Sequence, residues 1–154
     1  MRRTVTTSTV DHTRVLASYV GMRAQPGDVI GLVGDLGAGK TAFTQGLAMG
    51  LGIPPEVAIA SPTFTIVSEH RHGRIPLYHF DAYRLEGPEE FLSLGFAEYI
   101  DGDGVSVVEW ADIIEAALPD DRLMVHIVAS ATGERRIDLI PLGRTSGWLV
   151  AEIP

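Results

Sequence analysis

Cysteine and asparagine are both missing from the 154 residues of this chain, and lysine occurs once, at position 40. Without cysteine there is no disulfide, no thiolate-bound metal and no thiol nucleophile, a lack that suits a reducing compartment. Without asparagine the Asn-Lys-x-Asp loop that common GTPase families use to select guanine cannot be built. No stretch approaches the roughly 18 apolar residues needed to cross a bilayer. The opening MRRTVTTSTVDHT has two arginines but no apolar run behind them, so no secretory signal is expected and the cytoplasm is the expected location. Positive charge is also scarce: the formal net charge is −8. Binding nucleic acid unaided takes a basic surface, and the cations here are scattered apart from Arg71, His72 and Arg74. Autonomous binding to DNA or RNA is therefore not expected, while work beside a nucleic-acid-binding partner stays open.

What is present points to a folded α/β chain. Apolar residues make up 45% of it, and no linker, repeat or low-complexity tract divides it, so one domain over 1–154 is expected. Val5 to Val10 reads as extended. Asp11 to Arg23 reads as a helix with Val15, Leu16, Tyr19 and Val20 on its apolar face. Asp28 to Val33 suits a buried strand, and a helix is expected from about Lys40 to Leu51. Phe64 to Glu69 and Arg74 to Phe80 suggest a hairpin around His70-Arg71-His72-Gly73. Pro88 to Leu94 reads as a short helix with Pro88 in its first turn. Val105 to Val108 is a second buried-strand candidate, Ala111 to Leu118 is expected to be helical, and Arg122 to Ala129 with Arg135 to Ile140 forms a closing hairpin. The tail from Gly143 has no clear pattern.

The most informative segment is Gly34-Asp35-Leu36-Gly37-Ala38-Gly39-Lys40-Thr41, which matches G-x-x-x-x-G-K-[ST] in full. Glycines let backbone amides turn towards anionic oxygens with no Cβ in the way. The helix that follows aims its free N-terminal amides and the positive end of its dipole at the same place. Lys40 is placed to bridge the β- and γ-phosphates and Thr41 to supply a magnesium ligand. The other eleven cations are arginines, so the single lysine stands where a compact ammonium is not well replaced by a guanidinium. With no guanine selector, ATP is the expected nucleotide.

Magnesium takes oxygen ligands and keeps several waters, so one carboxylate beyond Thr41 suffices. Two strand ends offer one. The β-branched run Val105 to Val108 ends at Glu109, and Ile75 to Phe80 ends at Asp81 but contains Pro76; the pattern favours Glu109. Ser61-Pro62-Thr63 fits either a threonine that senses the γ-phosphate or a plain turn into a strand, and composition favours the turn. Within His79-Phe80-Asp81-Ala82-Tyr83-Arg84, Asp81 is suited to orient water and Arg84 to neutralise phosphate charge, unless the segment is a solvated strand end. Trp110 is more often a packing residue but stands beside Glu109.

Taken in order, Thr13, the loop Gly34 to Thr41, Ser61-Pro62-Thr63-Phe64, His79-Phe80-Asp81-Ala82-Tyr83-Arg84-Leu85, Gly95-Phe96-Ala97-Glu98-Tyr99 and Val108-Glu109-Trp110 resemble the TsaE (YjeE) family. These are small ATPases of bacterial tRNA threonylcarbamoyladenosine (t6A) biosynthesis. The likeness extends to about Ile140 and departs at Phe80 and Ala111, where relatives often carry other residues. It implies a single three-layer P-loop NTPase domain with a mainly parallel sheet and antiparallel additions. It implies magnesium on Thr41 and Glu109, and catalytic roles for Lys40, Thr63, Asp81 and Glu109. The ATP-binding set it implies is Thr13, Gly34, Asp35, Leu36, Gly37, Ala38, Gly39, Lys40, Thr41, Ala42, Trp110 and Arg135, with Thr13 and Arg135 towards the adenine. It also implies action with TsaB and TsaD, with the tRNA held largely by those partners. A small-molecule kinase and a nucleotide-dependent binding module are the alternatives. The kinase reading needs an arginine-bearing lid, and no convincing one lies between Phe91 and Val105.

Overall fold

Strands that are apolar on both faces require a layer on each side, and the computed structural model supplies both; it describes residues 2–144, 146–151 and 153. Strand β2 (Val29–Val33) follows the turn at Gln25 to Gly27, and strand β5 (Val105–Glu109) is buried along its whole length. Their alternating side chains enter two cores. Ile30, Leu32, Val105 and Val107 face one, and Val29 and Val108 face the other. The remaining strands are β1 (Arg3–Thr7), β3 (Val67–His70), β4 (Leu77–Asp81), β6 (Arg122–Ala129) and β7 (Arg135–Leu142). Among the described residues they form one seven-stranded sheet in the order β1-β7-β6-β2-β5-β4-β3. The central β6, β2, β5 and β4 run parallel. Antiparallel β7 and β1 extend one edge and β3 the other.

Helices α1 (Val10–Arg23) and α2 (Lys40–Gly50) cover the first core; α3 (Pro88–Ser93) and α4 (Phe96–Ile100) cover the second. The result is a three-layer α/β fold with a parallel centre and antiparallel additions, in line with the sequence. Thr9 caps α1 by accepting the His12 amide at 3.0 Å, which satisfies one of the free amides of the first turn.

The two long helices meet through small residues. A Cβ at Gly46 would fall 2.3 Å from the Arg14 carbonyl oxygen and 2.6 Å from the Ala17 Cβ. One at Gly50 would fall 2.2 Å from the Ser18 carbonyl oxygen, and one at Gly21 2.4 Å from that of Leu47. The backbones therefore touch, and α2 is held in place from behind. This contact also resets the buried face of α1 to Thr13, Leu16, Ala17, Val20 and Gly21. Val15, expected inside, is 47% exposed, because the partner helix selects for smallness as well as for apolar bulk.

Other departures have local causes. Val10 opens α1, so the first strand stops at Thr7. Ile66 adopts a φ of 72°, which delays β3 to Val67 and leaves Phe64 85% exposed. Pro76 lies outside β4, which starts at Leu77. Ala111 to Leu118 is not an α-helix but two 3₁₀ turns, Ala111–Ile113 and Glu115–Ala117, because Ile114 leaves helical geometry (φ −125°) and is fully buried. Helix α4 had no counterpart in the reading of the sequence. In the tail, Ser146–Val150 forms a 3₁₀ turn, and Leu149, Val150 and Ile153 join the first core; Thr145, Glu152 and Pro154 lie outside the described residues.

The helix contact gives a direct test. Gly50→Ala lowers the free energy of unfolding in urea by about 1–3 kcal/mol. Gly87→Ala stays within about 0.5 kcal/mol of the parent, since a Cβ there meets nothing within 4 Å. Equal effects of the two substitutions would rule out the backbone contact as the cause.

Candidate functional site

The segment between β2 and α2 turns at the carboxyl ends of the parallel strands, where ligands of open α/β sheets bind. Gly37 and Gly39 have φ values of 78° and 119°, a region that side chains with a Cβ rarely occupy. Gly39 stands at the start of α2 with no side-chain cap, so the first amides of the helix are left for an anion. From β7, Arg135 braces the loop. Its Nε donates to the Ala38 carbonyl at 2.7 Å and Nη2 to that of Gly37 at 3.4 Å.

Lys40 is only 4% exposed. Its Nζ donates to the Gly34 and Asp35 carbonyls at 2.5 and 2.9 Å and lies 3.9 Å from the centre of the Trp110 ring. Trp110 reaches that position from a left-handed backbone conformation, φ 59° and ψ 39°, a strained state of about 1–3 kcal/mol. The Tyr83 ring packs beside it, 4.9 Å between centres. Burial pushes Lys40 below the usual lysine range, against the opposing pull of Glu109, Asp81, Asp112 and Asp35.

The two candidate acids stand side by side, because parallel pairing sets Asp81 opposite Glu109 at the strand ends. Each is 2% exposed, so Asp81 is not at a solvated strand end. Its Oδ2 accepts from the Thr63 hydroxyl at 2.9 Å and its Oδ1 from the Tyr83 amide at 2.9 Å. Glu109 Oε2 accepts from the Ser61 hydroxyl at 2.8 Å and faces His79 Nε2 at 2.5 Å. Ser61 Oγ is also 2.6 Å from Thr41 Oγ1. Since Ser61 has one proton and gives it to Glu109, Thr41 is the donor in that pair.

Thr41, Ser61, Thr63, Asp81 and Glu109 line a cleft of about 370 Å³, together with Leu36, Gly37, Gly39, Lys40, Tyr83 and Trp110. Gly34, Asp35 and Ala38 belong to the same loop and hold the lysine or the arginine by their carbonyls. Ala42 is half-buried in the first turn of α2. Thr13 does not line the cleft; it is 2% exposed and bonded to Thr7 Oγ1 at 2.7 Å. Arg84 is exposed and packs over Phe64. The sequence reading gave no role to Ser61, His79 or Tyr83. A period of two along β4 carries a signal for His79, since it sets that residue on the face of Asp81.

The donor set suits magnesium. Thr41 and Glu109 are hard oxygen donors, close enough for one hydroxyl to touch both. Among the described residues no group of three or more His, Cys, Asp or Glu could form a self-sufficient metal cage. One hydroxyl, one carboxylate, phosphate oxygens and waters match the habit of Mg²⁺. A larger cleft of about 570 Å³ lies beside α1 and α2, but its charged residues, Asp11 and Arg14, pair with each other at 2.9 Å, and it has no glycine-rich loop. Among the described residues no helix is long and apolar enough to cross a membrane.

Strand, loop and helix in this order, with the loop at the carboxyl end of a parallel sheet, make this a P-loop protein of the NTPase-like class. Comparison with known proteins narrows the class: the model of the family described as Threonylcarbamoyl adenosine biosynthesis protein TsaE matches residues 7–137, and the chain belongs to that family. A Bacillus subtilis relative named tRNA threonylcarbamoyladenosine biosynthesis protein TsaE is 46% identical over 143 residues, 93% of this chain and 88% of the relative. A Treponema pallidum protein of the same name is 43% identical over 120 residues, 78% of this chain and 87% of its own. A crystal structure of Bacillus subtilis YdiB superposes with a TM-score of 0.86 at 40% identity, covering 99% of this chain and 94% of that one.

Lys40→Met tests the assignment of the loop. Loss of the ammonium is expected to weaken ATP binding by about a hundredfold. Because folding lowers the proton affinity of Lys40, its burial opposes folding at neutral pH, and that opposition fades as pH climbs towards the usual lysine range. The stability difference between the parent and Lys40→Met therefore shifts in the parent's favour as pH climbs from 7 towards that range. Thermal unfolding that differs between the two chains by the same amount at every pH would contradict this.

Proposed function

We propose that this chain binds ATP with magnesium in the loop cleft and hydrolyses it in support of tRNA t6A modification, acting in the cytoplasm on a TsaB–TsaD complex. The observation that carries the proposal is the linked set Thr41–Ser61–Glu109 beside the buried Lys40 and Asp81. Family membership supports the pathway, and the net charge of −8 agrees with a tRNA held mainly by partners.

In this reading the loop amides and the start of α2 receive the phosphates. Lys40 exchanges the carbonyls of Gly34 and Asp35 for oxygens of the β- and γ-phosphates. Thr41 and Glu109 stand on the metal side, and bound magnesium would neutralise charge on the phosphoryl group during transfer. Thr63 and Asp81, already joined at 2.9 Å, stand beside Glu109 on the neighbouring strand, where a carboxylate can orient the attacking water. Trp110 and Tyr83 keep the lysine side of the cleft apolar, which strengthens the electrostatic contacts inside.

The isolated chain is expected to hydrolyse ATP weakly and to be stimulated markedly by TsaB and TsaD, with phosphate release and modified tRNA read in parallel. Unchanged hydrolysis on adding the partners would sink the proposal. Glu109→Gln is expected to retain nucleotide binding but lose roughly a hundredfold in turnover. If that variant still sustained full tRNA modification, binding without hydrolysis would be the function.

A further inference from the structure

We infer that His79 is a positioning residue for Glu109, holding one carboxylate oxygen so that the other is presented to magnesium. The inference rests on the reading that Glu109 stands on the metal side of the cleft. His79 is fully buried in β4, on the face of β4 and β5 that also carries Leu77, Val105 and Val107 of the apolar core. Among the described residues its ring makes one hydrogen bond, Nε2 to Glu109 Oε2 at 2.5 Å, and the buried Nδ1 has no partner.

Those two facts fix the tautomer. An ionised carboxylate only accepts, so the proton of the contact sits on Nε2. A proton on Nδ1 would leave a buried N–H with no acceptor, whereas a bare Nδ1 leaves only a lone pair unmet. The imidazole thus gives its Nε2–H to Glu109. A side chain that served only to fill the core would be better apolar, because the unmet nitrogen is a penalty without return.

The geometry separates anchor from movable partner. Ser61 donates to the same Oε2, but it belongs to a segment that is neither helix nor strand. His79 belongs to a central strand paired on both sides, to β3 and to β5. With both donors on Oε2, no donor among the described residues is seated on Oε1 of this cleft-lining carboxylate. His79 is therefore the contact that keeps the orientation of Glu109 when the segment carrying Ser61 shifts. Outer contacts of this kind to a metal-binding carboxylate change metal affinity by about ten- to a hundredfold.

The test uses the full chain and a fluorescent ATP analogue titrated with magnesium. His79→Leu is expected to raise the half-saturating magnesium concentration about ten- to a hundredfold while leaving analogue binding in chelator unchanged. His79→Gln, whose amide nitrogen reaches the place of Nε2, recovers most of the loss, and His79→Asn, whose nitrogen stops short, does not. Imidazole ¹⁵N spectra of the parent chain are expected to show the Nε2–H tautomer. A magnesium-dependent parent with an unshifted His79→Leu overturns the inference alone. A parent whose nucleotide binding ignores magnesium overturns the metal reading and this inference with it. Should His79→Leu not fold, the spectra decide: an Nδ1–H tautomer overturns the inference, and an Nε2–H signal that moves in Glu109→Gln supports it.

Discussion

Three charged side chains, Lys40, Asp81 and Glu109, are buried together in one cleft at 4%, 2% and 2% exposure. Charges this deep are tolerated only when each is paired or hydrogen-bonded, and the surrounding structure is organised around that demand. The ammonium is met by two loop carbonyls and an indole ring, Asp81 by a hydroxyl and an amide, and Glu109 by a hydroxyl and an imidazole. No direct ion pair joins Lys40 to either acid, so on the proposed reading the lysine can exchange its carbonyl partners for phosphate oxygens while the acids keep theirs. The parallel register of β4 with β5 makes this possible, because it delivers two carboxylates to the same edge. The glycine contact of α1 with α2 then fixes the helix start that faces them.

Most of the fold could be read from the sequence, since its signals are local. Val-rich runs marked the two central strands, the glycine-lysine-threonine segment marked the start of α2, and turn residues marked both hairpins. What could not be read depended on tertiary contact. Val15 faces solvent because α2 requires Ala17 and Gly21 at the crossing. Ile114 breaks the expected helix because it is drawn into the second core. The tail shows no periodicity of its own, yet Leu149, Val150 and Ile153 complete the first core.

The candidate site divides in the same way. The loop, both acids and Trp110 were named from residue type and position, and the structure brings them to one cleft. The links between them were not legible. Ser61 was quoted without a role of its own, and nothing in its neighbours says that its hydroxyl will join Thr41, 20 residues before it, to Glu109, 48 residues after it. Thr13, named by resemblance, serves here as a buried partner of Thr7 that ties α1 to β1. Arg135 touches the loop backbone, an arrangement that motif spacing does not encode.

The Ser61 bridge also explains why Thr63 belongs to the same machinery. Ser61 Oγ lies within hydrogen-bond distance of both proposed metal ligands. On the proposed reading, a cation held by Thr41 and by Oε1 of Glu109, at the short distances magnesium demands, sits against the hydroxyl that bridges the two side chains. Ser61 and Thr63 are separated only by Pro62, whose ring restricts the backbone between them. On that reading a shift of Ser61 is passed to Thr63, which holds Asp81 beside Glu109. Ser61, Pro62 and Thr63 thus link the two carboxylates through three consecutive residues. His79 holds Glu109 from a paired strand, while Ser61 and Thr63 hold the two acids from the loop beside it.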